Sequence, residues 1–327
     1  MPDQLRRVAV LTAGQDCPGY NPCIRSVVRM ALSLGWEVWG VHGGFAGLAR
    51  GELERLGSRD MSGIIGRGGT MLGTSPSCDL SKHSGLREAL RHLNMEGVQA
   101  TVVVGGYGAM KVALALEKGG IPTVGIPATV ENELIGTDNA VGADTALNTV
   151  LHAIDHLKDT ASSRQLAFLV EVCGRRSGYL ALMAGIAGGA EMTCLPEASF
   201  SLDDVQQEVS DSYVRGKEHC IIVVAEGARP DASSIYEQLR EQRERTGFDV
   251  RLSILGDIQR GGAPSAEDRY LGTRLGAAAV RQLAEGGHGS MVGLVDGGTA
   301  VTPLEEVLGE RRELPGEYLE IARVLAR

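Results

Sequence analysis

Six short stretches of this chain end an apolar run with glycine beside a polar or charged residue. That is where α/β proteins gather their binding and catalytic loops. The first is Leu11-Thr12-Ala13-Gly14-Gln15-Asp16-Cys17-Pro18-Gly19-Tyr20-Asn21-Pro22. Its glycines let backbone amides approach an anion, with Asn21 placed to cap a helix and Pro22 suited to its first turn. A tight strand-to-helix turn accounts for the same residues. The second, Val104-Gly105-Gly106-Tyr107-Gly108-Ala109, has three glycines in four residues, as close approach of a phosphate or a tight turn would need. The third runs from Gly125 to Glu133 and carries Thr129 and two carboxylates, Glu131 and Glu133. Their spacing suits a base and a metal partner, or a solvated acidic loop. The fourth sets Cys173, Gly174 and Arg175 after a strand, a good contact for a sugar phosphate. The fifth places Glu226 against Gly227, and the sixth Asp257 and Arg260 among Gly256, Gly261 and Gly262.

Loops of this kind need parallel strands alternating with helices. Runs rich in Val and Ile and without polar alternation predict strands at Val8–Leu11, Glu37–Val41, Ala100–Val104, Thr123–Ile126, Ala167–Val172, His219–Ala225, Arg251–Leu255 and Met291–Val295. Helical segments between them include Pro22–Leu34, Ser84–Leu93, Met110–Lys118, Thr145–Thr160, Leu202–Arg215 and Gly272–Leu283. The fold class is α/β, with mostly parallel sheets and right-handed crossovers.

At 327 residues, 43% hydrophobic and 22% charged, the chain is long enough for two buried cores. A net charge of −9 argues against general binding to nucleic acid or an anionic membrane. The cysteines, at 17, 23, 78, 173, 194 and 220, include no CxxC pair, so reduced thiols in a cytoplasm are expected. No signal peptide or membrane-length apolar run is evident.

Together and in this order, the six stretches resemble the 6-phosphofructokinases, from about Arg7 to about Gly286. Gly142-Ala143-Asp144-Thr145 and Gln259-Arg260-Gly261-Gly262 match too. The resemblance implies two doubly wound domains: a larger, donor-binding one of 1–142 plus about 264–312, and a smaller, sugar-phosphate-binding one of about 143–263 plus 313–327. It implies transfer of a phosphoryl group from ATP to fructose 6-phosphate, with Mg²⁺, in a cytoplasmic homotetramer. Thr129, Glu131, Cys173, Gly174, Arg175, Glu226, Arg251, Asp257 and Arg260 fall at its sugar-phosphate positions. Gly14, Gln15, Tyr107, Gly108 and Ala109 fall at its nucleotide positions. Arg25, Arg29, Lys158, Glu191, Arg215 and Lys217 fall at its effector site for ADP or phosphoenolpyruvate.

Against the family pattern, several residues are exchanged. Glu131 stands for the aspartate base, and one added methylene moves its oxygens by ~1 Å, which can cost ~100-fold. Glu133 replaces the second aspartate of that loop. Tyr107 replaces a carboxylate that helps hold Mg²⁺, and a phenol is a poor ligand for it. Gln15 fills a glycine position, and Pro76 stands for an arginine of a kind that contributes ~10³-fold or more elsewhere. Leu166 and Asp257 replace a sugar-phosphate arginine and histidine. These changes lead to the expectation of an impaired enzyme that binds phosphorylated metabolites and can associate with an active paralogue. The alternative is a working phosphofructokinase with Glu131 as base, or a kinase with another donor or sugar phosphate. No metal ligand set is assigned. Tyr107 is expected to project over the donor phosphates, with Gln15 crowding them.

Overall fold

The structure, a computed structural model, describes residues 5–75 and 83–326. In chain order its elements are β1 (Arg7–Ala13), α1 (Tyr20–Ser33), β2 (Glu37–Val41), α2 (Gly44–Arg50), β3 (Leu53–Leu56), α3 (His83–Met95), β4 (Ala100–Gly105), α4 (Tyr107–Lys118), β5 (Thr123–Pro127) and α5 (Ala143–Arg164). They continue with β6 (Leu166–Val172), α6 (Tyr179–Ala187), β7 (Met192–Cys194), α7 (Leu202–Val214), β8 (Cys220–Ala225), α8 (Ala232–Glu241), α9 (Arg243–Thr246) and β9 (Asp249–Ile254). A 3₁₀ turn (Gly256–Arg260) precedes α10 (Ala266–Ala284), β10 (Ser290–Val295), β11 (Gly298–Pro303), α11 (Leu304–Gly309) and α12 (Gly316–Leu325).

The chain divides into two compact units. The first comprises Met1–Thr129, Glu133–Thr145 and Arg260–Arg311; the second comprises Val130–Asn132, Ala146–Gln259 and Arg312–Arg327. The first unit holds a seven-stranded sheet in the order β11-β10-β5-β4-β1-β2-β3. It is parallel except at its margins, where β3 runs against β2 and β11 against β10. The second holds a four-stranded sheet, β7-β8-β6-β9, parallel throughout.

The central strands β4, β5 and β8 are buried at every position. This is why they read as unbroken apolar runs: both faces are covered, so no polar alternation is needed. One side of the first sheet packs Leu11, Val103, Met110, Leu116 and Met291 into a single cluster. The second unit packs Leu169, Ile222, Val224, Val209, Ile235 and Phe248.

Register sets where the loops emerge. Ala13 pairs with Gly105, and Gly105 with Pro127, so the loops after β1, β4 and β5 leave the first sheet at one level. In the second sheet Val172 pairs with Ala225 and Glu171 with Ile254, which aligns the loops after β6, β8 and β9.

Candidate functional site

In the first unit, the loop after β1 is held from beneath. The buried Tyr20 phenol donates to the Gln15 carbonyl at 2.9 Å and the Ala13 carbonyl at 3.3 Å. Burial raises the pKa of this phenol well above its ordinary value, so it remains a donor. Gly14 has φ of +100°, a left-handed conformation that a side chain would strain. Its amide donates to the Ser75 carbonyl, and the Thr74 hydroxyl donates to its carbonyl, both at 2.9 Å. Gln15 is exposed. Asn21 does not cap α1. The cap position is Gly19, and Asn21, inside the first turn, donates to the Arg67 and Gly68 carbonyls and accepts from the Met71 amide at 2.8 Å. An asparagine with three backbone partners distant in sequence is more useful there than at a cap.

The loop after β4 is built around close approach. A Cβ on Gly105 would strike the Ala13 carbonyl, so only glycine lets β4 end beside β1 in this way. At the start of α4, the Tyr107 amide donates to Glu133 Oε1 at 3.0 Å, and the Thr129 hydroxyl donates to Glu133 Oε2 at 2.8 Å. Glu133 thus places negative charge at the positive end of α4. The Tyr107 hydroxyl donates to the Leu308 carbonyl at 3.3 Å, and its ring packs on the first unit's apolar cluster beneath the Lys111 ammonium, 4.7 Å from the ring centre. Instead of reaching out over an anion, as its sequence position suggested, the ring is turned toward α11. Half-buried packing and a carbonyl partner favour that rotamer. Ala109 is buried and Gly108 half-buried in the same turn.

One residue the sequence did not single out braces this unit. Asp268, with 0% exposure, accepts from the Gly142 amide at 2.6 Å, the Thr145 amide at 2.8 Å and the Thr145 hydroxyl. Burial raises its pKa, and the hydrogen bonds oppose that. The available signal was Ser265, three residues earlier, whose hydroxyl caps α10 at the Asp268 amide.

In the second unit, Glu131 Oε2 accepts from the amides of Arg175 at 3.0 Å and Arg176 at 3.2 Å. The Arg175 guanidinium donates to Glu226 Oε1 at 2.7 Å, and that carboxylate raises the arginine's pKa. The Gln259 side chain accepts from the Cys173 amide at 3.0 Å, tying the 3₁₀ turn that carries Asp257 to the loop after β6. Gly174, Arg175, Glu226 and Glu131 therefore form one connected group. Glu171 is a further carboxylate at this edge. Burial first, then the charges of Glu226 and Asp231, push its pKa up. Arg251 is paired with Asp249 at 2.7 Å. Arg260 is buried and belongs to the first unit.

Residues 7–283 match the family model described as phosphofructokinase. The chain belongs to the phosphofructokinase family. This phosphofructokinase-family chain is 44% identical over 323 residues to the ATP-dependent 6-phosphofructokinase 1 of Thermus thermophilus, spanning 98% of this chain and all of the relative. The corresponding Natranaerobius thermophilus protein is 40% identical over 322 residues, with 98% and 100% coverage. Among solved structures, the phosphofructokinase of Saccharomyces cerevisiae superposes with TM-score 0.86 at 30% identity. It covers 98% of this chain, which spans only 48% of the yeast chain. The pyrophosphate-dependent phosphofructokinase of Marinobacter aquaeolei shares the fold, with TM-score 0.80 at 20% identity, 98% of this chain and 91% of that one.

The sequence-derived effector cations of this phosphofructokinase-family chain divide between the units: Arg25 and Arg29 lie on α1 in the first, and Lys158, Arg215 and Lys217 in the second. The latter three are not bare charges. Lys158 donates to the Gly188 carbonyl, Arg215 pairs with Glu208, and Lys217 pairs with Glu191 at 3.1 Å. Pro76 lies outside the described residues. Among the described residues no cluster of three metal-ligating side chains occurs, and no helix is long and apolar enough to cross a membrane. Mg²⁺ takes one or two carboxylates together with waters and substrate phosphates; Glu133 is the carboxylate at the start of α4, with each of its oxygens already accepting one hydrogen bond, from the Tyr107 amide and the Thr129 hydroxyl. The five described cysteines are buried and free, and burial raises the thiol pKa of Cys17, Cys23, Cys194 and Cys220.

Proposed function

We propose that this chain is a 6-phosphofructokinase with an altered active site, converting ATP and fructose 6-phosphate to ADP and fructose 1,6-bisphosphate. The observation that carries this reading is the connected group of Glu131, Gly174, Arg175 and Glu226, with the Glu131 carboxylate fixed on the Arg175 and Arg176 amides. Glu131 takes the proton of the sugar 1-hydroxyl as its oxygen attacks the γ-phosphorus and ADP leaves. Arg175 and Glu226 orient the sugar phosphate. The first unit binds the donor and the second the sugar phosphate. Glu133 would hold Mg²⁺, which when bound neutralises charge on the transferring group. The curated relatives that match along the whole chain are named as ATP-dependent 6-phosphofructokinases, which supports the same donor here. The proposal includes a cytoplasmic homotetramer, as the family resemblance suggests.

A second reading is favoured by the donor turn. Tyr107 stands where the family pattern places a carboxylate, and its hydroxyl is engaged by Leu308. In this reading turnover is at least ~10³-fold below an ordinary member, since Pro76 also removes an arginine, and the chain acts by binding phosphorylated metabolites. Purified protein, free of host enzyme, is assayed for ADP release with fructose 6-phosphate and ATP, and for product with GTP or pyrophosphate. Ordinary turnover with ATP supports the first reading and eliminates the second. Turnover in the depressed range supports the second, and catalysis only with another donor refutes the ATP assignment.

A further inference from the structure

Helix α5 buries Val150, Ile154 and Ala161 along one side. On the opposite side His152, Asp155, His156 and Asp159 are all exposed. Spacings of three, four and seven residues return to one helix face. Two imidazoles therefore stand one turn apart, with carboxylates among them. Of the seven histidines in the chain, no other two are four residues apart.

The structure also shows how one of these rings is held. His156 Nδ1 lies 2.5 Å from the His152 carbonyl oxygen. A carbonyl can only accept, so Nδ1 carries a proton and donates, and Nε2 of the neutral ring keeps its lone pair. The bond draws the ring back along the helix toward His152, the direction in which helical side chains lean. Metal-bound histidines are fixed in this way, with one ring nitrogen on a backbone carbonyl and the other on the ion.

We propose that His152 and His156 together bind a divalent transition metal, Cu²⁺, Ni²⁺ or Zn²⁺, through Nε2 of His156 and a ring nitrogen of His152. Two histidines four apart on one helix face can chelate such an ion. Imidazole suits these metals, whereas Mg²⁺ and Ca²⁺ take oxygen ligands. With two protein ligands, water fills the remaining positions, and Asp155 and Asp159 add the negative charge that draws a dication. The ion ties together two consecutive turns of α5, the helix that also carries Lys158. The site needs neither phosphoryl donor nor sugar phosphate, so it stands apart from the reaction proposed above.

Calorimetry with Ni²⁺, on the full chain stripped of metal, reads the site. A single equivalent binds, and millimolar Mg²⁺ does not displace it. His152→Ala and His156→Ala each weaken binding by about tenfold or more, at least what loss of an outer-shell partner costs. Alanine suits an exposed helix position, so these variants keep the fold. His288→Ala, which removes an exposed histidine of the first unit, leaves binding unchanged. Saturating Ni²⁺ slows hydrogen exchange of residues 153–160 by about tenfold or more in the parent, and not in the variant lacking both histidines. Binding that survives in that double variant, or that Mg²⁺ displaces, overturns the proposal, as does absence of binding at millimolar Ni²⁺. Loss in only one of the two single variants overturns the chelate.

Discussion

Tyr107→Asp puts a carboxylate into the turn between β4 and α4, where the proposed function places the donor, and its effects on stability and on catalysis run in opposite directions. The substitution removes the hydrogen bond to the Leu308 carbonyl, which at 3.3 Å lies at the weak end of ~0.5–1.5 kcal/mol. It also removes the Lys111 contact with the ring, about 0.5–1 kcal/mol at an exposed site. An aspartate in the first turn of α4 returns about 0.3–1 kcal/mol through the helix dipole, less the repulsion from Glu133. Losing the half-buried ring's packing on the apolar cluster costs about 1–2 kcal/mol more, so the net loss is about 2–3 kcal/mol, equivalent to a fall of about 4–12 °C in melting temperature for a unit of this size. Catalysis moves the other way. Two carboxylates, Asp at 107 and Glu133, hold Mg²⁺ better than Glu133 alone, so kcat with Mg²⁺-ATP rises by about tenfold or more. Coupled ADP release across a Mg²⁺ titration, with melting curves beside it, reads both effects. A variant that melts as expected but gains no turnover, with its Mg²⁺ dependence unmoved, refutes the assignment of Tyr107 as the residue limiting the donor site.

Glu131→Gln lowers turnover by about 10²–10⁴-fold while fructose 6-phosphate affinity stays within a few-fold; single-turnover quench and calorimetry separate the two, and a loss of binding alone would remove Glu131 from the base role. Arg175→Ala weakens fructose 6-phosphate binding by about 10–100-fold, one charge-assisted hydrogen bond, and unchanged affinity would place the sugar phosphate elsewhere. Asp268→Asn costs about 1–3 kcal/mol because its amide nitrogen faces a backbone donor. Its pH dependence has a defined sign. The raised folded-state pKa means the folded chain keeps the proton after the unfolded chain has lost it. The contribution of this carboxyl is therefore fully present below the ordinary carboxylate range and is lost as pH rises through the folded value. The melting-temperature gap between parent and Asp268→Asn narrows as the pH is raised, and a gap that widens contradicts this. The buried thiols of Cys17, Cys23, Cys194 and Cys220 resist alkylation until the chain is denatured, and rapid labelling of any of them in the native protein disproves their burial.

The fully covered strands were legible because burial on both faces leaves only Val, Ile and Ala in β4 and β8, broken by Cys220, Thr101 and the closing Gly105. The marginal strands were not. β3 reads Leu-Glu-Arg-Leu with its two central residues exposed, β11 is largely exposed, and β7 has only three residues. Each is defined by its neighbour in the sheet and not by a run of its own. Within the site, the loop residues could be named from their glycines and charges, but their partners could not. Asn21 serves Arg67, Gly68 and Met71, about fifty residues away. Lys217 meets Glu191 only through the packing of β7 and β8. The Arg215–Glu208 pair was within reach, since seven residues on a helix return to the same face.

The level register of Ala13, Gly105 and Pro127 bears on how such a protein can be re-engineered. Three loops leave adjacent, hydrogen-bonded strands at the same height, and the strands beneath them are closed to solvent. A loop transplanted whole from a relative, from Ala13 to Tyr20 or from Gly105 to Ala109, would start and finish on anchors that the sheet already holds. The rim can therefore exchange its chemistry segment by segment while the staves below stay the same. That separability offers a route by which a lineage keeps a scaffold intact and rewrites what it does at the edge.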